Sequence, residues 1–445
     1  MLEGSLWNKI ILFAMPLAAS SILQQLFNAA DVAVVGKFAG NEALAAVGAN
    51  APVINLLVGI FVGLSVGSNV VIASAIGQGN ELRTSKAVHT SIILSVLGGV
   101  LLTVVGIIFA RPILQLISTP PEVIDLAVLY LRIYFLGMPF MLLYNFASAI
   151  LRSKGDTKRP LIILTISGVI NVLLNLFFVL VCDMSVDGVA TATVISNVIS
   201  SALLIWLLIK ETGAMKLELR KLKIDGRTLA AIAKIGVPAG LQGMVFSFSN
   251  VCIQSAINGL GEAAMGASAA ALNYEFAAYY VVNAFGQANV TFIGQNYGAG
   301  NIRRCRSVCR WCMLLGFIAT AMFSGLFILF RYPLLGLFTS DPDIAELGAV
   351  RLLIILSFEV VNMVIELLSG GMRGYGFSLT PALICIVGIC GVRIAWVYTL
   401  FPQVNTFSML MSVFPVSWII TAAVTAGAYM LVIRRIRKKH EMQVI

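Results

Sequence analysis

Long apolar stretches separated by short polar ones make up most of this 445-residue chain. Each apolar stretch holds about 20 residues or more, enough for an α-helix rising about 1.5 Å per residue to cross about 30 Å of hydrocarbon. The pattern predicts an all-α integral membrane protein with twelve transmembrane helices. We place them at residues 10–36, 44–73, 89–110, 123–150, 160–181, 188–209, 232–258, 264–293, 308–330, 345–369, 379–400 and 407–433.

The second half of the chain repeats the first half. The segment from Gly77 to Arg83, GQGNELR, returns from Gly298 to Arg304 as GAGNIRR, and the same offset of 221 residues relates Pro160 to Pro381. The offset spans six predicted helices, which is an even number, so both copies start on the same side of the membrane. The duplication therefore predicts two six-helix lobes related as parallel repeats.

The repeat and the polar stretch between its copies define the predicted domains. The N-terminal lobe covers residues 1–209, a cytoplasmic linker covers 210–234, and the C-terminal lobe with a short basic tail covers 235–445. Pro16 and Pro238 lie near the starts of helices 1 and 7. Because proline removes a backbone donor and clashes with the preceding turn, we expect both to bend their helices.

Positive charge lies mainly on one side of the predicted membrane. Most of the 30 Lys and Arg fall in the termini, the linker and the even-to-odd loops. The opposite loops hold the bases Lys37, Arg111 and Arg331 among a larger number of acids. By the positive-inside rule, we expect both termini in the cytoplasm. The net charge of +10 then reflects a basic face beside anionic lipid, and we expect no nucleic-acid partner.

Polar residues within the N-terminal lobe are the first functional candidates, because a charge in hydrocarbon costs at least about 2.5 kcal/mol. Asp31 on helix 1 lies about 9 Å below the outer end of that helix, and Asn171, Asn175 and Thr193 lie at a similar depth. These oxygen atoms suit a hard monovalent cation, or a carboxylate ready to take up a proton. We therefore predict a coupling site here, with Na⁺ as the one metal considered; a purely structural role for the two Asn residues is the alternative. Two more polar residues share the helix face of Asp31, namely Gln24 and Asn28.

The C-terminal lobe carries a different polar set. Glu275, Glu359 and Arg393 all fall near the membrane midplane at the helical rise. Glu359, Asn362 and Glu366 share one face of helix 10. Because an unpaired guanidinium is costly there, we expect Arg393 to pair with Glu275 or Glu359. These five residues form a second candidate polar site, and an ion pair that only ties helices together is the alternative.

Five short segments stand in a specific order along the duplicated chain. They are Asn28–Gly36, Arg152–Pro160, Asn171–Asn175, Ala192–Thr193 and Gly294–Asn301. Together they resemble the multidrug and toxic compound extrusion (MATE) family, and the resemblance covers nearly the whole chain. It implies efflux of lipophilic and organic cations across the bacterial inner membrane, in exchange for H⁺ or Na⁺, by rocker-switch alternating access.

The resemblance also carries residue roles. In that family a helix 1 aspartate, a helix 5 asparagine with a following polar residue, and a helix 6 threonine form the cation site of the N-terminal lobe. These positions fall on the four residues of the predicted coupling site. The second helix 5 position is often Asp in the family, but here it is Asn175, which removes a negative charge. Phe246 and Asn362 stand near positions at which some members place acids, whereas Glu275 resembles an acid of helix 8 in many bacterial members.

Other functions fit the sequence less well. The nearest alternative is a flippase for lipid-linked oligosaccharide or peptidoglycan precursors, whose cavity would need bases such as Arg132, Arg351 and Arg393. No enzyme is expected, because no HExxH motif occurs and both histidines, His89 and His440, fall in cytoplasmic positions. We expect no cofactor apart from the coupling ion, and we expect the chain to act as a monomer in the lipid bilayer.

Overall fold

The computed structural model describes residues 1–117 and 119–444, with side chains as far as residue 438. The side chains of Lys439 and His440 and the whole of Ile445 thus lie outside the described residues. In chain order the long helices are α1 (Leu6–Ala39), α2 (Asn41–Gly77), α3 (Glu81–Leu116), α4 (Pro121–Leu136 and Met138–Lys154), α5 (Lys158–Val181), α6 (Val186–Lys210), α7 (Gly226–Asn258), α8 (Glu262–Gly298), α9 (Ile302–Leu329), α10 (Pro342–Ser357 and Glu359–Gly374), α11 (Leu379–Val404) and α12 (Phe407–Lys438).

These helices confirm the predicted fold class. Within the described ranges, nine helices are long and apolar enough to cross a membrane, and the bent helices α4 and α10 bring the number to eleven. Helix α8 is the twelfth, with 37 residues but a polar stretch that includes Glu275 and Asn283. The largest error in the start of a helix is at α3, which begins eight residues before the predicted position. Its first turns are polar and are stabilised by a cap at Asn80 rather than by burial in lipid.

The repeat in the sequence is also a repeat of local structure. Asn80 and Asn301 cap α3 and α9, and each side chain accepts a hydrogen bond from the backbone N–H three residues on, at 2.9 and 3.1 Å. Gly155 and Gly376 follow α4 and α10 with φ of 106° and 88°, a left-handed conformation that glycine adopts readily. The sequence offset therefore preserves the positions at which helices start and stop.

Helices α4 and α10 break at equivalent positions. Helix α4 bends by 48° at Gly137 and α10 bends by 42° at Phe358, and these residues differ by the repeat offset. Pro139 lies in the first turn after the break in α4, whereas α10 has no proline at the matching place. Helices α1 and α7, in contrast, continue as helix through Pro16 and Pro238.

The chain divides into two compact units. The first consists of residues 1–18 and 241–445, and the second consists of residues 19–240. The division falls inside α1 and α7, whereas the sequence places the boundary at the 210–234 linker. Pro16 and Pro238 each lie within a few residues of a point at which the chain passes from one unit to the other.

Close helix packing within residues 19–240 depends on glycine. A Cβ atom added to Gly67 of α2 would lie 2.4 Å from the carbonyl oxygen of Ile232 in α7, and one added to Gly63 would lie 2.3 Å from the backbone nitrogen of Gly240. Gly236 faces α2 in the same way. Facing pairs of glycines four residues apart allow two backbones to approach closely, as in other membrane helix pairs.

The linker that follows α6 is fixed at both ends to the same unit. The Glu211 carboxylate oxygens lie 2.8 Å from Lys154 Nζ and 2.5 Å from Arg159 Nη1. Burial raises the pKa of the Glu211 carboxyl, but the hydrogen bonds and charges of these two bases outweigh burial and lower it overall. At the other end, hydrogen bonds from Thr228 and the charge of Lys86 lower the pKa of Asp225 to about 2.

We predict that Gly67→Ala destabilises the protein. The added methyl group would overlap the α7 backbone, and overpacking of this kind costs about 1–3 kcal/mol. Thermal unfolding of the purified protein in detergent measures the effect. Gly48→Ala in the same helix is the matched control, because a Cβ there meets no atom within 4 Å among the described residues. Equal unfolding temperatures for the two variants would contradict the role assigned to Gly67.

Candidate functional site

The structure brings together all four residues of the predicted coupling site. Asn175 donates to Asp31 through its Nδ2 and lies 3.4 Å from Asn171 Oδ1. Asn171 Nδ2 in turn lies 3.4 Å from Thr193 Oγ1. Asn171 and Asn175 are buried, whereas Asp31 and Thr193 are half-buried. The four side chains thus form one polar chain from α1 through α5 to α6.

A close contact between α1 and α5 positions Asp31. A Cβ atom at Gly168 would lie 1.9 Å from the ring of Phe27, so only glycine lets that ring lie against α5. Asp31 follows Phe27 by one helical turn, and Asn171 follows Gly168 by almost one turn. The glycine therefore sets the distance at which the carboxylate meets the Asn175 amide.

Short π-helical segments adjoin the polar residues. One covers Val35–Ala39, four residues after Asp31, and another covers Phe177–Val181, two residues after Asn175. A third covers Ile386–Gly391, two residues before Arg393. Such segments insert a residue into an α-helix and often occur at functional sites.

A cavity of about 80 Å³ adjoins the cluster. Drug-sized ligands occupy pockets of about 300–1,000 Å³, whereas one water takes up about 30 Å³. This cavity therefore has room for an ion with a little water. Its polar lining is Gln24, Asn28, Asp31, Tyr134, Tyr144, Asn145, Ser167, Asn171, Thr193, Ser196, Asn197 and Ser200.

One acceptor of the cluster has no donor. The Oδ1 atom of Asn175 is buried and has no hydrogen-bond partner among the described residues. A buried oxygen in this state is costly unless a donor or a cation reaches it. Carboxylate, amide and hydroxyl oxygens such as those of Asp31, Asn175 and Thr193 are the ligands that hard cations prefer, but here Asn175 turns its N–H₂ group, not this oxygen, toward Asp31.

In the unit that contains the C-terminal helices, Glu275 pairs with Arg351. The guanidinium binds both carboxylate oxygens, with Nε–Oε1 at 2.6 Å and Nη2–Oε2 at 3.0 Å, and Arg351 is only 3% exposed. The expected pair between Glu275 and Arg393 is therefore wrong. The sequence places Arg351 near the outer end of its helix, but α10 begins at Pro342, so Arg351 lies about 14 Å into the helix and is buried.

Arg393 is held by an aromatic ring instead of a carboxylate. Its Cζ atom lies 4.3 Å from the ring centre of Phe414 and 5.7 Å from that of Phe246. Asn250 accepts a hydrogen bond from Nη1 at 3.3 Å, and Nε is buried without a partner among the described residues. The expected ion pair with Glu359 is also wrong, because Glu359 accepts from Asn362 at 2.9 Å instead. A desolvated cation–π contact contributes about 2 kcal/mol, which offsets part of the burial of the charge.

Glu366 belongs to a separate group. Asn283 donates to its Oε1 at 3.4 Å, and Arg373 lies 4.0 Å from the same oxygen. Arg373 also donates to Gln242 at 2.8 Å. The five residues predicted as one polar site are therefore divided among separate contacts. Glu275 binds Arg351, Glu359 accepts from Asn362, Arg393 lies against Phe414, and Glu366, two helical turns along α10 from Glu359, contacts Asn283 and Arg373.

The sequence did not indicate the roles of several residues at these sites, and it marked Arg351 only as a base that a flippase cavity would need. Tyr134 and Tyr144 line the cavity beside Asp31, but tyrosine is common in membrane helices and gave no signal. Arg351 and Phe414 could have been found through the repeat offset. It aligns them with Tyr130 and Thr193, so a base and an aromatic ring replace residues at or near the N-terminal site.

Comparisons with known proteins show which family and which fold the chain resembles. A model of the MatE family matches residues 16–177 and 238–399. The chain is 30% identical to the probable multidrug resistance protein YoeA of Bacillus subtilis, which covers 97% of this chain and 95% of that protein. It is 27% identical to the probable multidrug resistance protein NorM of Thermotoga maritima, and the match covers 87% of this chain and 84% of that protein. A crystal structure of MATE in the bent conformation shares the fold, with a TM-score of 0.91, 22% identity, and 99% and 98% of the chains covered.

We predict that Arg351→Ala destabilises the protein strongly. The substitution leaves the Glu275 carboxylate buried without its counter-charge, and breaking such a pair costs about 3–5 kcal/mol. Thermal unfolding measures the loss, and Glu275→Gln in the same chain should recover part of it. Arg111→Ala is the matched control, since Arg111 and Asp125 form an exposed pair and exposed pairs contribute little. If both arginine variants lost the same stability, the buried pair would not have the importance given to it here.

Proposed function

This chain belongs to the MatE family, the multidrug and toxic compound extrusion transporters, and from that premise we propose that it exports organic cations in exchange for H⁺ or Na⁺. The family consists of transporters, so the chain is not an enzyme. The relatives named multidrug resistance proteins support drug-like substrates. The single observation that carries the coupling mechanism is the contact between Asp31 and Asn175 beside an ion-sized cavity.

The chemistry of the cluster supports a site that alternates between an empty and a loaded form. In the empty form, the Asn175 amide donates to the ionised Asp31 carboxylate and holds it within the helices. A proton on Asp31 removes the negative charge that this donor satisfies. A Na⁺ ion needs the Asn175 oxygen in place of its N–H₂ group. Na⁺ therefore requires the Asn175 side chain to turn over, whereas a proton leaves Asp31 an oxygen that still accepts from the same amide. In both cases loading changes the contact that joins α1 to α5.

Alternating access is the second part of the proposal. We propose that the two units rock as rigid bodies and that α1 and α7 bend near Pro16 and Pro238 as they do so. The places at which the chain changes unit, after residues 18 and 240, support this role. We also propose a monomer in the bacterial inner membrane, with both termini in the cytoplasm and no nucleic-acid partner.

A role in anion transport is the second candidate. Arg393 is a buried cation with an unsatisfied Nε and no carboxylate within ion-pair distance in the described part of the chain. Such a group could meet a pyrophosphate or another anionic head group, as a flippase for lipid-linked oligosaccharide or peptidoglycan precursors requires. Against it, Glu275 and Glu359 lie within electrostatic range of Arg393 and reduce the local positive charge.

We predict that Asp31→Asn abolishes coupled export but leaves folded protein in the membrane. The variant keeps the shape of the side chain and removes the charge that binds or carries the ion. Counterflow in proteoliposomes, with pH and Na⁺ gradients imposed separately, measures the loss and identifies the ion. Glu42→Gln is the matched control, because Glu42 is an exposed acid at the start of α2. If the Asp31→Asn variant accumulated drug at the wild-type rate, Asp31 would have no part in the coupling mechanism.

We predict that the protein exports a lipophilic cationic dye faster than an anionic dye of the same size. The acids of the described polar groups make an anion harder to desolvate there than a cation. Efflux of the two dyes from the same proteoliposomes gives the comparison, and Arg393→Gln should leave the cation rate nearly unchanged. Faster efflux of the anionic dye, lost in Arg393→Gln, would favour the flippase.

A further inference from the structure

The linker between α6 and α7 exposes an unusual mixture of side chains. From Leu219 to Ile224 the sequence reads LRKLKI, and every side chain in this segment is exposed. Leu219 is 61% exposed, Leu222 is 38% exposed and Ile224 is 40% exposed. An exposed loop of a soluble surface seldom places three large aliphatic residues among three bases. We call residues 219–224 the linker patch.

Hydrogen bonds on both sides fix the backbone of the linker patch. Before it, the Glu218 N–H donates to His89 Nε2 at 3.1 Å. After it, the Asp225 N–H donates to Thr90 Oγ1 at 3.1 Å, and the Asp225 carboxylate lies 3.1 Å from Lys86 Nζ. Just before these bonds, Met215 and Leu217 are buried. The chain is thus attached along α3, and the patch presents its side chains away from the protein.

The attachment points give the patch a level in the membrane. Arg111 and Asp125 form an exposed pair at the outer end of α3. About 20 residues of helix cross the hydrocarbon, so counting inward from Arg111 places the cytoplasmic boundary near His89 and Thr90. These are the two residues that hold the linker.

A second helix marks the same level. Trp206, near the cytoplasmic end of α6, is 55% exposed, and the ammonium group of Lys210 lies 5.6 Å from the centre of its ring. Exposed Trp residues and nearby bases are typical of the membrane–water interface. After α6 ends at Lys210, the chain passes through the buried Met215 and Leu217 and reaches the linker patch at Leu219.

We propose that the linker patch is a docking site for the anionic phospholipids of the cytoplasmic leaflet. Arg220, Lys221 and Lys223 match the negative head groups, and Leu219, Leu222 and Ile224 enter the boundary between head groups and acyl chains. Lys221 also pairs with Glu218 at 2.9 Å in an exposed position, so it can exchange that partner for a phosphate. An acidic protein partner would explain the bases but would leave the three aliphatic side chains without an apolar contact.

Hydrogen–deuterium exchange of the full-length protein in lipid nanodiscs tests the proposal. The probes are discs of phosphatidylcholine alone and discs that also contain phosphatidylglycerol. Each base near an anionic surface strengthens attachment by about fivefold, so we expect the backbone amides of residues 219–224 to exchange at least about fivefold more slowly in the anionic discs. Salt at about 1 M, where the Debye length is about 3 Å, should remove most of the difference.

Two sets of substitutions separate the patch from the general charge of the protein. The triple variant Arg220→Gln, Lys221→Gln, Lys223→Gln should lose the slowing. The matched control is Arg303→Gln, Arg306→Gln, Arg310→Gln, three exposed bases at the start of α9, which should keep it. Leu219→Ser with Leu222→Ser should lose part of it without a change of charge.

The outcomes that overturn the proposal are equally specific. Equal exchange of residues 219–224 in the neutral and anionic discs would show that no anionic lipid binds there. Slowing that survives in the triple variant, or disappears equally in the α9 control, would assign the effect to the membrane surface as a whole.

Discussion

Hydrocarbon offers no hydrogen bonds, and this constraint governs the rest of the molecule. Every backbone N–H and C=O within the membrane must be satisfied inside its own segment, so each span is a helix. Polar side chains at that depth must find one another, and the contacts of Asp31 with Asn175 and of Glu275 with Arg351 are two solutions. Where no partner is in reach, as at Arg393, an aromatic ring takes its place.

The two copies of the repeat share a backbone scaffold but carry different side chains at their candidate sites. The two copies share their helix caps, their left-handed glycines and the break in the fourth helix of each copy. At the level of the candidate sites they differ, since the repeat offset relates Asp31 to Cys252 and Thr193 to Phe414. The first copy therefore has an oxygen-rich cluster that suits a small cation, and the second has a buried ion pair and an arginine that lies against an aromatic ring. Helix ends are set by backbone chemistry, whereas the residues that face a cavity can change without moving the backbone.

The candidate site of the first copy could be predicted from the sequence, and that of the second could be predicted only in part. Asp31, Asn171, Asn175 and Thr193 sit on three helices at one depth, and depth follows directly from a rise of about 1.5 Å per residue. The partner of Glu275 could not be obtained in this way. Two arginines reach similar depths, and rotation of each helix about its axis, which depth does not specify, decides which one faces α8.

Hydropathy, repetition and composition act locally along the chain, so the fold class, the duplication and the sidedness of charge could all be predicted without a structure. The sequence also showed which polar residues had to be explained. Which helices touch depends on packing in three dimensions. Gly168 admits the ring of Phe27 and brings Asp31 to Asn175, and Gly67 admits the α7 backbone. Only the structure shows the linker lying along α3 with its aliphatic side chains exposed. Such contacts join residues far apart in sequence through packing at sub-ångström tolerance, and no local pattern encodes that fit.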